Sequence, residues 1–376
     1  MINLKKKIID YSKDIGIDLI GFTDIGPFEN LRQILIKRKK EDKLSGFEEE
    51  DIELRVNPKK TLQNARSIIV IAMSYYTNKK ELRNNERSQF YGKLARIAWG
   101  KDYHIVLMDK LDKLAEFIAK EYAGFEHKSF VDTGPLVDRY LANRAGIGFY
   151  GYNSAIINEK FGSWIFLGYM ITNIPLKRDK SLENKGCLGC NLCIEYCPTS
   201  AIEEPYRFDA NKCLSNILQQ KRPVPEEILP VIGDRIYGCD ICQSVCPHNI
   251  DIIGATAEEF ISTGLSNSVD LVQLLQISNK DFDSLFRENA SGWIGKKILQ
   301  RNAIIVLGNS GDKDAIPYLK PLLRDIRPEI RKMAMWALYN IDPEIAVELI
   351  FDVRDNEENE DILKIINRYL GLNNEK

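Results

Sequence analysis

Hydrophobic residues recur with two different periods over the first 176 positions of the chain, and with a helical period alone after Ile261. Leu4, Ile8, Tyr11 and Ile15 fall on one face of a first helix, and Leu107, Leu111, Leu114 and Ile118 mark a longer one. Four short apolar runs read as strands: Asp18 to Phe22, Ile68 to Met73, Lys128 to Val131 and Trp164 to Thr172. Runs apolar on both faces predict a sheet covered by helices, so this part reads as an α/β domain. The stretch 177–260, opened by Pro175 and the polar run Lys177 to Lys185, holds neither period and reads as loop-rich. In the helical part Ala303 and Leu307 recur as Ala334 and Leu338, and Arg324-Asp325 as Arg354-Asp355, at an offset of 30 or 31 residues. That period suits stacked helix pairs of the HEAT kind, with a plain helical bundle as the alternative. The expected architecture is α+β multidomain, divided at 1–176, 177–260 and 261–376.

All eight cysteines lie in the loop-rich middle, which explains how it holds together with little apolar core. Cys187, Cys190, Cys193 and Cys197 are followed by Pro198; Cys239, Cys242 and Cys246 are followed by Pro247, with Cys213 upstream. In this arrangement three cysteines of a run wrap one 4Fe-4S cube, and the fourth, turned away by the proline, reaches the other. One cluster is thus expected on Cys187, Cys190, Cys193 and Cys246, and a second on Cys213, Cys239, Cys242 and Cys197. Zinc ribbons use Cys-x2-Cys pairs but not this repeated run. Disulfides fit poorly, because Met1 to Lys7 leads into a charged amphipathic segment with no apolar signal core, which points to a reducing cytoplasm. Cys213 departs from a plain repeat by standing 26 positions before Cys239, and the insertion Leu214 to Gly238 brings Ser215, Arg222, Arg235 and Tyr237 toward the clusters. Paired clusters carry single electrons, so a redox reaction is expected elsewhere in the chain.

Composition narrows the partners. A hydrophobic content of 44% and a charged content of 28% are ordinary for a globular protein, and no apolar run is long enough to cross a bilayer, so no membrane partner is expected. The net charge of -2 gives no general reason for a nucleic-acid partner. Basic residues nevertheless crowd into Trp293 to Lys332, including Lys296, Lys297, Arg301 and Arg331, where a local face can hold phosphates.

Outside the cysteines, Val131-Asp132-Thr133-Gly134 with Asp138-Arg139, followed by Ala145 to Asn153, is the densest candidate site. Asp132 ends an apolar strand, where ligands meet α/β sheets. A pocketed carboxylate there has its pKa raised and serves as a general acid; equally, such an Asp caps the next helix with no chemistry at all. Asp138-Arg139 reads as an ion pair. Gly146-x-Gly148-x-x-Gly151 follows a helix rather than opening one, which argues against a dinucleotide fold. His104, His127 and His248 form no cluster, and Asp102-Tyr103-His104 lacks the glycine of the motif by which some corrinoid proteins supply a histidine to cobalt.

Taken together, Ser45-Gly46-Phe47-Glu48, Trp99 to His104, Val131 to Gly134 with Asp138-Arg139, Ala145 to Gly148, both cysteine runs, Tyr237 to Asp240, Gly292-Trp293 and Gly295 to Ala303 resemble the epoxyqueuosine reductases of tRNA modification over nearly the whole chain. The resemblance implies an oxidoreductase that binds cobalamin beside two 4Fe-4S clusters and reduces the epoxide of epoxyqueuosine, at the wobble position of tRNA, to queuosine. It implies Asp132 as proton donor and Arg55, Asp132, Asn153, Ile156, Leu167 and Ser215 as cobalamin contacts, with Gly238 and Asp240 beside them. Ala95 stands where relatives can carry cysteine, so any contact there is through backbone. The tRNA face it implies comprises Lys221, Arg222, Trp293, Lys296, Lys297 and Arg301. A low-potential electron donor and a monomeric state complete the expectation. The competing readings are a corrinoid and iron-sulfur reductase of a small molecule, as in the reductive dehalogenases, and a noncatalytic electron carrier.

Overall fold

The structure, a computed structural model, describes residues 2–77, 89–183, 186–261 and 267–372. The last two residues of the polar run, 184–185, lie outside them. The chain packs as two units, one of Met1–Lys79, Trp99–Cys213 and Asp240–Thr263, the other of Lys80–Ala98, Leu214–Cys239 and Gly264–Lys376.

The first unit is organised by a four-stranded sheet in the order Leu19–Thr23, Ser67–Ser74, Ile165–Thr172, His127–Phe130, antiparallel throughout. All four strands anticipated from apolar runs are present. Every residue of Ser67–Ser74 is buried, because both faces are covered. Ile68, Val70 and Ala72 pack with Leu31, Leu35, Val56 and Leu141. The other face meets the helix Tyr103–Glu121, whose Leu107, Leu111, Leu114 and Ile118 are fully buried. Fully burying a leucine or isoleucine contributes roughly 1.5–3 kcal/mol, so this apolar stripe fixes the helix on the sheet. The helix Asp138–Arg144 ends at Gly146, whose φ of +75° lets its N–H reach the Asn143 carbonyl while Ile147 N–H closes on Ala142. Gly146 is therefore the helix terminus, and the glycine trio follows a helix rather than opening one.

In the second unit, Tyr91–Leu94 lies between Arg235–Tyr237, which it meets in parallel, and Ser268–Asp270, which it meets antiparallel. These strands are three or four residues long and come from distant parts of the chain, so no alternation announced them. The helices Gly295–Asn309 and Pro328–Ile341 pack together, with Ala303, Leu307, Ala334 and Leu338 buried. Gly308 allows the close approach: a Cβ there would lie 2.8 Å from the Ala337 Cα. The second elements of the repeat are unequal. Pro343–Arg354 is a full helix, whereas Ile316–Leu319 gives way to a 3-10 turn over Lys320–Arg324.

Candidate active site and cluster-binding region

Asp132 follows directly on buried Val131 and takes a left-handed φ of +56°, a conformation that Asp tolerates better than most residues. Its Oδ2 accepts the Tyr103 hydroxyl at 3.1 Å and lies 3.7 Å from His104 Nε2. His104 Nδ1 in turn meets Asp102 Oδ1 at 2.7 Å. Tyr103 is held flat between the His104 ring and Phe166, with centroids at 4.1 and 4.3 Å. Desolvation lowers the His104 pKa, but the hydrogen bond to Asp102 and the nearby charges of Asp102 and Asp132 outweigh it and carry the imidazole up to about 9.

The same surroundings correct the expectation for Asp132. Desolvation raises its pKa, yet His104, then Tyr103 and the more distant Arg139, reverse the direction, and the carboxyl sits below its ordinary value. The raised carboxyl is Asp138 instead, pushed up to about 8 by desolvation first and by the Asp132 charge second. Its Oδ2 accepts the Asp132 backbone N–H at 3.1 Å, which ties the Asp132 turn to the following helix. The expected Asp138–Arg139 ion pair is absent among the described residues: Arg139 Nη1 donates to the Ser154 carbonyl at 2.9 Å. The local order of the sequence could not show that Arg139 turns toward another loop.

Of the other residues expected around a cofactor, Arg55 is buried in the turn of helix Ile52–Val56. Desolvation, together with the like charges of Arg38 and Arg139, lowers its pKa against the pull of Glu48. Three guanidinium groups within mutual influence favour an anionic or strongly polar ligand. Asn153 is buried; its Oδ1 accepts Ala155 N–H at 3.1 Å and its Nδ2 donates to the Cys242 carbonyl at 3.4 Å. Ile156 is buried in a two-residue strand, and Leu167 is the half-buried member of an otherwise buried strand. Asp240 precedes the helical turn Ile241–Ser244. Ser215, Gly238 and Ala95 belong to the second unit. Ser215 Oγ accepts Gln219 Nε2 at 3.2 Å, and Gly238, at φ +68°, lies against Ala95, whose N–H bonds the Tyr237 carbonyl.

Cys187, Cys190, Cys193 and Cys246 line one cavity of about 240 Å³ together with Tyr152, Asn153 and His248. Desolvation raises the Cys187 and Cys246 thiols and carries Cys193 to about 11, with Cys187, Cys246 and Cys190 adding their repulsion. Thiolates here need a compensating positive charge, which the iron of a cubane provides. The four thiols border one shared space. Of the other four, Cys197, Cys213 and Cys242 belong to the first unit and Cys239 to the second. Cys197 Sγ already accepts the Ala201 N–H at 3.2 Å, a contact that stabilises a thiolate.

On the basic segment, Lys221, Arg222, Trp293 and Lys297 are exposed. The Trp293 indole donates to Tyr237 Oη at 3.1 Å, Lys296 Nζ reaches the Ile277 carbonyl at 3.3 Å, and Lys297 meets Glu329 at 3.1 Å. Arg301 departs from the expectation of a phosphate contact. It is 0% exposed, and its guanidinium is spent on the carbonyls of Leu218, Gln220 and Arg222 and on the Asn302 side chain. It braces the segment that carries Lys221 and Arg222. Tyr103 and His104 were missed as site residues; the signal was there, an Asp-x-His at a helix start in a chain with three histidines.

A strand-end carboxylate facing an imidazole, a four-thiol cavity and paired helical repeats define a multidomain iron-sulfur protein built on an α/β sheet. Family models match as epoxyqueuosine reductase QueG, DUF1730, over residues 55–133, as a 4Fe-4S double cluster binding domain over 186–249 and as HEAT repeats over 295–370. An epoxyqueuosine reductase of Bacillus cereus is 43% identical over 98% of this chain and 97% of its own, and one of Escherichia coli K12 is 31% identical over 89% of each. A crystal structure of epoxyqueuosine reductase with an epoxyqueuosine-modified tRNA-Tyr stem loop superposes with a TM-score of 0.93 at 40% identity, covering 99% of both chains. A structure from Bacillus subtilis, described with its catalytic aspartate loop swung out of the active site, superposes with a TM-score of 0.93 at 38% identity over 99% of both. The chain belongs to the epoxyqueuosine reductase family.

Proposed function

We propose that this chain reduces the epoxide of epoxyqueuosine in the tRNA anticodon to the alkene of queuosine, with cobalamin and two 4Fe-4S clusters as cofactors. The observation that carries the reading is Asp132 at the end of its strand, in reach of Tyr103 and His104 and in one unit with a four-thiol cavity. The reaction consumes two electrons and two protons and releases water. Cobalamin, when bound, collects single electrons and supplies a cobalt nucleophile for the strained carbon–oxygen bond. The residues of the chain do the rest. Asp132 holds and delivers a proton to the departing oxygen, a task worth roughly 10²- to 10⁴-fold. Arg55, Asn153, Ile156 and Leu167, with Ser215, Gly238 and Asp240, hold the corrinoid, and the buried guanidinium of Arg55 suits its polar periphery. One cluster takes Cys187, Cys190, Cys193 and Cys246, the other Cys197, Cys213, Cys239 and Cys242.

Lys221, Arg222, Trp293, Lys296 and Lys297 grip the tRNA by phosphate and stacking contacts, and Arg301 positions the first two from beneath. The division at 1–176, 177–260 and 261–376 then corresponds to corrinoid, cluster and tRNA functions. A cytoplasmic monomer fed by a low-potential electron donor completes the reading. Among the described residues no helix is long and apolar enough to cross a membrane. The test is incubation of reconstituted protein with epoxyqueuosine-containing tRNA and a low-potential reductant, followed by nucleoside mass analysis. Queuosine should appear; its absence from protein carrying both clusters and cobalamin would reject the activity.

A further inference from the structure

A carboxylate can protonate a leaving oxygen only if it holds a proton, and Asp132 is held in the ionised form by its neighbours. A proton within reach sits on His104. Its Nε2 is buried, has no hydrogen-bond partner and lies 3.7 Å from Asp132 Oδ2. Its Nδ1 is fixed at 2.7 Å by Asp102. Helix capping accounts for part of this, since Asp102 Oδ1 also accepts the His104 backbone N–H at 2.9 Å. Capping does not account for a ring turned so that its unpartnered nitrogen faces a second carboxylate. The positive helix terminus would by itself disfavour an imidazolium in the first turn, so the two carboxylates are what keep it charged.

We infer that Asp102 and His104 form a proton-delivery pair that recharges Asp132. This rests on the reading of Asp132 as the proton donor. In the step, after closure from 3.7 Å to hydrogen-bond distance, the His104 Nε2–H bond breaks and an Asp132 Oδ2–H bond forms only as charge builds on the departing oxygen, whose rising basicity draws the proton forward. Asp132 passes that proton to the oxygen leaving carbon, and His104 Nε2 regains one from water when the site reopens for product release. Tyr103 steadies the same Oδ2 through its hydroxyl at 3.1 Å. Asp102 and Asp132 face the imidazole, and Asp138, Arg139 and Tyr103 act on Asp132 from its other sides; Phe166 of the underlying strand adds only an apolar stack against Tyr103.

Two measurements test it. With three histidines in the chain, the His104 imidazole can be assigned by NMR of the full-length protein through His104→Gln. Its midpoint, about 9, should fall toward the ordinary value of about 6.5 in Asp102→Asn and in Asp132→Asn. A wild-type midpoint near the ordinary value overturns the inference. In single-turnover reduction of epoxyqueuosine tRNA, His104→Gln should slow the reaction roughly 10²-fold near neutral pH and move its alkaline limb to lower pH. If His104→Gln keeps the wild-type rate and pH profile while Asp132→Asn is inactive, the delivery pair is wrong and the proton donor stands. If Asp132→Asn is fully active, the donor reading itself fails and the delivery pair with it.

Discussion

The turn at Asp132 and the helix at Arg301 each fix a charged side chain, and they do so in opposite ways. Arg301 is saturated: three backbone carbonyls and an asparagine take its donors, with Glu329 at 3.5 Å. Asp132 is left unfinished, with a left-handed backbone, a 66% exposed side chain and a neighbouring imidazole nitrogen that has no partner. A saturated charge can only hold structure. A group whose partners are incomplete can exchange protons, and it retains the local strain, of order 1–3 kcal/mol, that accompanies such sites. The family resemblance and a basic stretch of sequence placed Arg301 on a surface face; burial makes it a strut.

The contrast can be broken experimentally, starting with its strongest consequence. Asp132→Asn should lower turnover roughly 10²- to 10⁴-fold in the mass-spectrometric assay while cluster absorption and folding stay unchanged. A fall in cluster content would instead place Asp132 in structural support. Arg301→Ala should do the reverse, costing about 3–5 kcal/mol in denaturant unfolding because buried carbonyls and Glu329 lose their partner. Arg301→Lys should not restore it, since one ammonium cannot span the fork of acceptors.

Smaller effects sharpen the picture. Asp138 has its pKa raised from 3.8 to about 8, so ionising it opposes folding. The wild type should lose stability to Asp138→Asn progressively as pH rises from the unfolded value of about 3.9 through about 8, with no further change above. Melting curves across that window check the sign. The smallest effect belongs to the paired lysines. Lys296→Ala with Lys297→Ala should change stability by less than about 1 kcal/mol. The same pair should flatten the salt dependence of tRNA binding by about one unit per lost phosphate contact. An unchanged slope would remove them from the tRNA face.

Much of this was legible because it depends on local order. Apolar runs marked the strands of the first sheet, since a strand covered on both faces, such as Ser67–Ser74, is mostly apolar. The Cys-x2-Cys spacing matched the family model of a double cluster domain, since a short loop must bring sulfurs to one cube. Where distant segments meet, the signal vanished. The sheet around Tyr91–Leu94 joins strands more than a hundred residues apart, each too short to show a period. Asp-x-His looked like a failed cobalt motif, because its meaning depends on a strand end nearly thirty residues later.

The linear order of residues determined the sheet strands, the helical repeat, the two cysteine runs and Asp132 as a strand-end carboxylate, because all of these follow from periods and spacings within a few residues. Tertiary structure alone decided that the Asp132 carboxyl is pulled below its ordinary pKa and that of Asp138 pushed above it, that His104 lies opposite Asp132, and that Arg301 is an internal brace. Proton affinity and exposure are set by what surrounds a group in space, and those surroundings come from segments that the chain keeps far apart.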